Sequence, residues 1–392
     1  MIKPLHTFAL LFISSILIAC NLTSIETSGN AKACNLGSVK LTADFSTGRM
    51  DKCQQVAEHE YLITLIPENT PINSSPWYAF KIESEQATPI KITMKVQGDK
   101  HRYPPKIKQQ GKPWALQKYK LKSGRLTMSL TATPQASYIA AQEIIDNSYY
   151  HNWAKKLTEQ GLSIHELLGL STQGRPIYKL ESKSNSKQWL IILGRMHPPE
   201  VTGALALFPF VENLFSNSQL ANAFREKYNI LVIPNINPDG VDAGNWRHNA
   251  NGLDLNRDWI NFTQQETQLI NNYLKGLVAK GDKIKFAIDF HSTQQDVFYT
   301  MPIDYGVEQP YFVKHWLGAL DKSMPDFTVV TKPGNTPNNG VSKQYFADNF
   351  NVHAITYEMG DNTARQKIID IANNASTTLM TTLLSTDVHN QE

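Results

Sequence analysis

The chain reads as two parts, a small all-β sandwich followed by an α/β domain built on a mixed sheet flanked by helices. Three observations predict this. From about residue 37 to 133, short alternating runs recur with Pro, Gly and Asn between them. Past Pro134, short β-branched or apolar runs alternate with longer helical ones. His197, His291 and Glu358 each fall at or just past the end of such a run, where sheets of this class place their sites.

The sandwich candidates are Val39 to Phe45, Glu60 to Ile66, Trp77 to Ile82, Ile90 to Val96, Trp114 to Leu121 and Arg125 to Thr131. Nothing in them looks catalytic; His101-Arg102-Tyr103-Pro104-Pro105 could contact substrate, but it reads first as an exposed loop. A helix is expected over about Asp146 to Gln160, then a hairpin turn at Ser171 to Pro176. Strands follow at Trp189 to Gly194, Ile230 to Pro234, Ile284 to Phe290 and Ala354 to Tyr357. Helices are expected at Val201 to Leu214, Gln264 to Leu277 and Gln366 to Leu384. The division that results is 37–135 for the sandwich and 136–392 for the α/β domain.

Composition excludes some classes. The 392 residues suffice for about two or three domains. A chain that is 41% apolar and 19% charged can bury a sizeable core. A net charge of +3, scattered along the chain, argues against a nucleic-acid partner.

The first residues look like an export signal. Lys3 precedes the mostly apolar stretch Thr7 to Ala19, which is too short to span a bilayer. It ends in Leu17-Ile18-Ala19-Cys20, which resembles the bacterial lipobox. That resemblance implies a signal peptide over 1–19, lipid on Cys20 and a polar tether over 20–36. Asn21 after the Cys favours the outer membrane, facing the periplasm, and several acyl chains on one Cys make a stable anchor. With Cys20 assigned to lipid, Cys34 and Cys53 remain as a disulfide pair in an oxidising compartment. Closing that loop of roughly 20 residues is worth about 3 kcal/mol in the chain-entropy picture.

The chemistry-bearing residues form a pattern. His197 and Glu200 lie three apart in His-Pro-Pro-Glu, after a strand and before a helix, so both side chains can turn to one point. His291 ends the strand Ile284 to Phe290. Two imidazoles and a carboxylate are the donor set of a catalytic zinc that keeps one position open. Glu358 supplies a non-ligating acid to act as base on a water there. Arg247 is the candidate for stabilising an oxyanion. Asn256 and Arg257 suit a substrate carboxylate, for which a guanidinium offers a bidentate fork. Asp254 can hold the outer nitrogen of a zinc histidine.

Together these residues resemble the zinc metallocarboxypeptidases over roughly residues 136 to 388. The resemblance implies one zinc on His197, Glu200 and His291, Glu358 as catalytic glutamate, and Arg247 polarising the scissile carbonyl. It makes Asn256 and Arg257 the grip on the terminal carboxylate of a peptide. The preceding β-rich region, with Pro76-Trp77-Tyr78-Ala79-Phe80-Lys81, is similar to the extra domain of the cytosolic-carboxypeptidase branch. The family's mobile tyrosine belongs in the loop Lys332 to Val341, and no Tyr is there; Tyr345 and Tyr357 are off register. Aligning Ser342 and Glu358 without a gap puts Lys343 at the base of the side-chain pocket, which implies an acidic C-terminal residue. Alternatives are an amide hydrolase resembling the desuccinylases and aspartoacylases, a hydrolase of peptidoglycan stem peptides, and a lipoprotein that binds without turnover.

Overall fold

The computed structural model describes residues 33–389. The expected signal peptide and Cys20 lie outside them. The two-part reading holds: all-β sheets come first, then a mixed sheet flanked by helices.

The N-terminal part is two sheets face to face. One has six strands in the spatial order Ala33–Leu36, Val39–Thr42, Ala79–Ser84, Ser137–Ala140, Lys106–Gln109 and Ala115–Leu116. The other has five, ordered Lys52–Ala57, Glu60–Leu65, Thr88–Val96, Arg125–Ala132 and Lys120–Lys122. Alternation drives the packing. Along Thr88–Val96, Ile90, Ile92 and Met94 are buried while Pro89 and Lys91 face out. They share a core with Leu41, Phe80, Ile82 and Ile139 of the opposite sheet. Cys34 and Cys53 form a disulfide with Cα atoms 6.1 Å apart, joining the first strand of one sheet to the first of the other. Strands Ala33–Leu36 and Ser137–Ala140 lie beyond the span of 37–135 read from the sequence, the first of them inside the expected tether.

The second part is an eight-stranded mixed sheet in the order Ser163–Leu170, Pro176–Ser182, Asn229–Ile233, Gln188–Gly194, Lys283–Thr293, Ala354–Gly360, Val297–Thr300 and Thr331–Pro333. The four central strands, Asn229–Ile233 through Ala354–Gly360, run parallel; the first two are joined antiparallel by the turn at Ser171 to Arg175. Both faces of the centre are covered, which is why Asn229–Ile233 is buried at every position. Along Gln188–Gly194, Leu190 and Ile192 enter one core while Trp189, Ile191 and Leu193 enter the other. Helices Val201–Leu214, Phe312–Ser323 and Arg365–His389 cover the first face, and Gln265–Ala279 and Ser342–Phe350 the second. Gly203 permits the close approach of Val201–Leu214 to the sheet, since a Cβ there would sit 2.5 Å from the His291 carbonyl oxygen.

No helix among the described residues is long and apolar enough to cross a membrane.

Candidate active site

Strand ends and the turns after them build the site. Strand Gln188–Gly194 ends, Arg195 takes a left-handed φ of 56°, and His197-Pro198-Pro199 turns the chain so that Glu200 caps helix Val201–Leu214. Two prolines with fixed φ make this turn stiff. Strand Lys283–Thr293, the parallel neighbour of Gln188–Gly194 in the sheet, carries His291. Strand Ala354–Gly360 pairs with it in parallel, and the register sets Glu358 directly beside His291.

The three donors converge. His291 Nδ1 lies 3.1 Å from His197 Nδ1 and 2.8 Å from Glu200 Oε2, and His197 Nδ1 lies 3.0 Å from Glu200 Oε1. One donor atom from each lies within 4.8 Å of the others, and all three residues are buried. Each imidazole turns its outer nitrogen to a carboxylate: His197 Nε2 meets Asp254 Oδ1 at 2.8 Å, and His291 Nε2 meets Asp289 Oδ2 at 2.8 Å. That fixes which ring nitrogen faces the shared point. The Ser292 amide donates to Glu200 Oε2 at 3.1 Å, and the Ser292 hydroxyl accepts from the Gly203 amide at 2.7 Å. Helix start and strand end are thereby locked together.

The electrostatics suit a cation at that point. Burial opposes charge on His291, yet Asp289 and Glu200 favour the positive form. Burial likewise opposes charge on Glu200, but His197 and His291 hold its carboxyl well below the usual range. A divalent ion seated between the donors answers the same field. Two nitrogens and a carboxylate oxygen are zinc ligands by chemistry. The residues present therefore fit the metal.

Around the donors lies a cavity of about 540 Å³. Glu358 lines it, and its Oε2 is buried without a hydrogen-bond partner. Burial, with the charge of Glu200 second, pushes its carboxyl up to about 7, against His291, His197 and Arg102. Arg247 is buried in the wall, its Nε 2.7 Å from Asp254 Oδ2. Burial disfavours the charge of Asp254 too, but His197 and Arg247 hold its carboxyl far below the usual range. One carboxylate thus braces a metal ligand and the guanidinium together. The short turn Leu255–Arg257 presents Asn256 and Arg257. Asn256 Oδ1 accepts from the Ser342 amide at 2.9 Å, while Arg257 is exposed at the cavity rim. Lys343 is buried; its Nζ donates to the carbonyl of Thr300 at 3.0 Å and to that of Gly334. Burial lowers its ammonium to about 8.

Some residues of the cavity went unnoticed in the sequence. Arg102, for which the sequence favours an exposed loop over substrate contact, lines it, with Nε 2.8 Å from Asp361 Oδ2 and Nη2 2.8 Å from the Ser292 carbonyl. Neither Tyr345 nor Tyr357 is among the lining residues: both are buried, Tyr345 against Trp259 and Tyr357 against Phe290. The tyrosine that does line it is Tyr299, from strand Val297–Thr300. Asp289 was also missed, although a carboxylate two residues before a strand-end His shares its face of the sheet. Cys20 lies outside the described residues.

The mixed sheet thus sets a His-Glu-His cluster with the donor chemistry of a zinc site beside the Glu358 carboxylate. The chain belongs to the zinc carboxypeptidase family, whose profile matches residues 150–380. It is 25% identical to mouse cytosolic carboxypeptidase 3 over 296 residues, 65% of this chain and 29% of that protein. The fold is similar to that of a metallo-carboxypeptidase from Burkholderia cenocepacia, with a TM-score of 0.76 at 16% identity over 88% of this chain and 99% of that one. It is also similar to a metallo-carboxypeptidase from Pseudomonas aeruginosa in complex with (2-guanidinoethylmercapto)succinic acid. There the TM-score is 0.71 at 19% identity, over 87% of this chain and 98% of that one.

If Asp289 fixes the tautomer of His291, Asp289→Asn should weaken zinc binding by about 10- to 100-fold, and His291→Ala should abolish tight binding. Competition titration with a chelator measures both. Wild-type affinity in either variant contradicts the assignment.

Proposed function

We propose that this protein is a zinc-dependent carboxypeptidase that hydrolyses the last peptide bond of chains with a free C-terminal carboxylate and prefers an acidic last residue. One observation supports the reading most directly: the Glu358 carboxylate, one oxygen of which is buried without a hydrogen-bond partner, stands in register with His291 in a cavity walled by Arg247, Asn256 and Arg257.

His197, Glu200 and His291 would hold a zinc ion, which would supply Lewis acidity to the site. Glu358 takes the proton from the attacking water and returns it to the departing amine, a general base that then serves as acid. A carboxyl near 7 suits both halves of that task. Arg247, held by Asp254, faces charge that develops on the carbonyl oxygen. Arg257 at the rim and Asn256 in the cavity wall receive the terminal carboxylate. An ammonium has three donors; Lys343 uses two on backbone carbonyls and keeps one for the side chain of the last residue.

Place is part of the proposal. Lipid on Cys20 would hold the enzyme at the outer membrane, facing the periplasm, where peptides with free C-termini and peptidoglycan stem peptides are both candidate substrates.

Three outcomes follow. Glu358→Gln should keep its zinc and lose about 10²- to 10⁴-fold in kcat on a C-terminal peptide mixture. Near-normal turnover removes Glu358 as base; turnover confined to N-acyl amino acids or to muropeptides favours those readings instead. Peptides ending in Glu should have a higher kcat/KM than those ending in Leu or Lys. That advantage should be greatest below pH about 8, where Lys343 is protonated, and fall above it. It should vanish in Lys343→Ala; a preference for Leu, or an unchanged ranking in the variant, rejects the pocket assignment. Mass spectrometry of the mature N-terminus should find acylated Cys20, and a mature chain starting elsewhere excludes the anchor.

A further inference from the structure

We infer that Glu68, a residue of the β-sandwich part, is a positioning residue for Arg247, so that the sandwich sets the geometry of the active site. The inference rests on the carboxypeptidase reading for its kinetic consequence and on geometry alone for the contact.

Arg247 sits in an irregular stretch. Helix Pro238–Ala243 stops at Gly244, whose φ of 65° reverses the chain, and the next regular turn begins at Leu255. Between them no strand or helix holds the backbone. Three of its amides instead point at one carboxylate: Trp246 N donates to Glu68 Oε2 at 2.8 Å, and Arg247 N and His248 N donate to Glu68 Oε1 at 2.9 and 2.8 Å. The adjacent Asn69 grips both sides of the same stretch. Its Nδ2 donates to the Gly252 carbonyl at 2.8 Å, and its Oδ1 meets His248 Nδ1 at 2.5 Å.

The chain at Ile66, two residues before Glu68, is anchored by buried charge. Arg49 pairs with Asp51 at 2.9 Å and donates to the Ile66 carbonyl at 2.6 Å, while the Ile66 amide donates to Asp51 at 2.8 Å. Arg49 and Asp51 are both buried. The sandwich core thus holds the chain just before Glu68, and from Glu68 contacts run to the backbone of Arg247 and through its Nε to Asp254 and His197.

Residue chemistry explains why a carboxylate stands here. Both oxygens accept, so one side chain satisfies three donors. A Gln offers one oxygen and turns an NH₂ toward a donating amide. An Ala leaves all three amides without this partner. Because the guanidinium must meet charge that exists only in the transition state, a shift of about 1 Å in its base costs on the order of 10²-fold in rate.

The test uses the full-length zinc enzyme. Arg247→Ala should lower kcat by about 10²- to 10³-fold. Glu68→Ala should lower kcat by about 10- to 100-fold with zinc content unchanged. Glu68→Gln should fall between wild type and Glu68→Ala. The double variant Glu68→Ala/Arg247→Ala should be no slower than Arg247→Ala alone, because Glu68 acts through Arg247. Wild-type kcat in Glu68→Ala, or a double variant slower by the whole Glu68→Ala factor, overturns the inference. If Glu68→Ala does not fold, the same cycle is run with Glu68→Gln. Hydrogen exchange supplies a readout independent of turnover: the amides of residues 246–248 should exchange faster in the Glu68 variant, and unchanged protection rejects the contact. Failure of the carboxypeptidase reading looks different, with no peptide turnover in wild type or no loss in Arg247→Ala.

Discussion

The crowding of two imidazoles and a carboxylate around one point is the constraint on which the rest of the second part depends. Three polar donors within 4.8 Å of each other, all buried, form an unstable arrangement unless positive charge lies between them and every outward-facing atom has a partner. The fold meets both demands with backbone geometry. The two-proline turn brings Glu200 back toward His197; parallel pairing brings His291 and Glu358 side by side; strand alternation puts Asp289 under His291. Asp254 then serves twice, on His197 and on Arg247, so the guanidinium is positioned by the same ion pair that orients a metal ligand.

The sandwich is bound into this arrangement at several places. Arg102 crosses to Asp361 and to the carbonyl of Ser292, the residue whose amide fixes Glu200. Asn73 and Arg102 are part of the cavity wall. The Thr47 amide donates to the Asp242 carbonyl at 2.9 Å, and Trp77 Nε1 donates to the Thr47 carbonyl at 2.8 Å. The hydrophobic core also runs without a break from Ile92 and Phe80 of the sandwich to Leu190 and Phe210 of the second part. These contacts make the two parts one packed body around the site, and the disulfide between Cys34 and Cys53 stiffens the half that bears Arg102.

Local signals were legible in the sequence and tertiary ones were not. The helix at Val201 to Leu214 and the strands through Leu190, Leu231, Ile288 and Ile355 show as apolar runs of the right length, because both faces of the sheet centre are buried. The metal donors show because His and Glu at strand ends are chemically unusual. Strand Lys52–Ala57 does not show, with Gln54 and Gln55 facing partly outward. Helix Phe312–Ser323 carries Phe312, Val313, Trp316, Leu317 and Leu320 on one face, a pattern that was available but interrupted by Lys314 and His315. The sequence does not signal the partners of Arg102 and Glu68: they lie 259 and 179 residues away, and those of Glu68 are backbone amides. Asp289 was within reach, since the period-two rule alone places it beside His291.

Charge is distributed by burial in a way that separates reaction from recognition. Glu200, Glu358, His197 and His291 lie on strands or the stiff turn after one, close to sheet centre, where neighbours on several sides hold them. Arg257 and Lys332 lie at the rim on irregular backbone or the edge strand Thr331–Pro333, exposed to water. Lys343 is intermediate: it belongs to a helix, but the carbonyls that hold its ammonium come from Thr300 and from Gly334 in the loop after that edge strand. A group that moves a proton needs a fixed distance, and rigid elements give it. A group that meets a variable side chain gains from exposed backbone that can adjust. Under the proposed function, substitutions at the rim would change which peptide ends are accepted while the sheet keeps the metal donors and Glu358 in register.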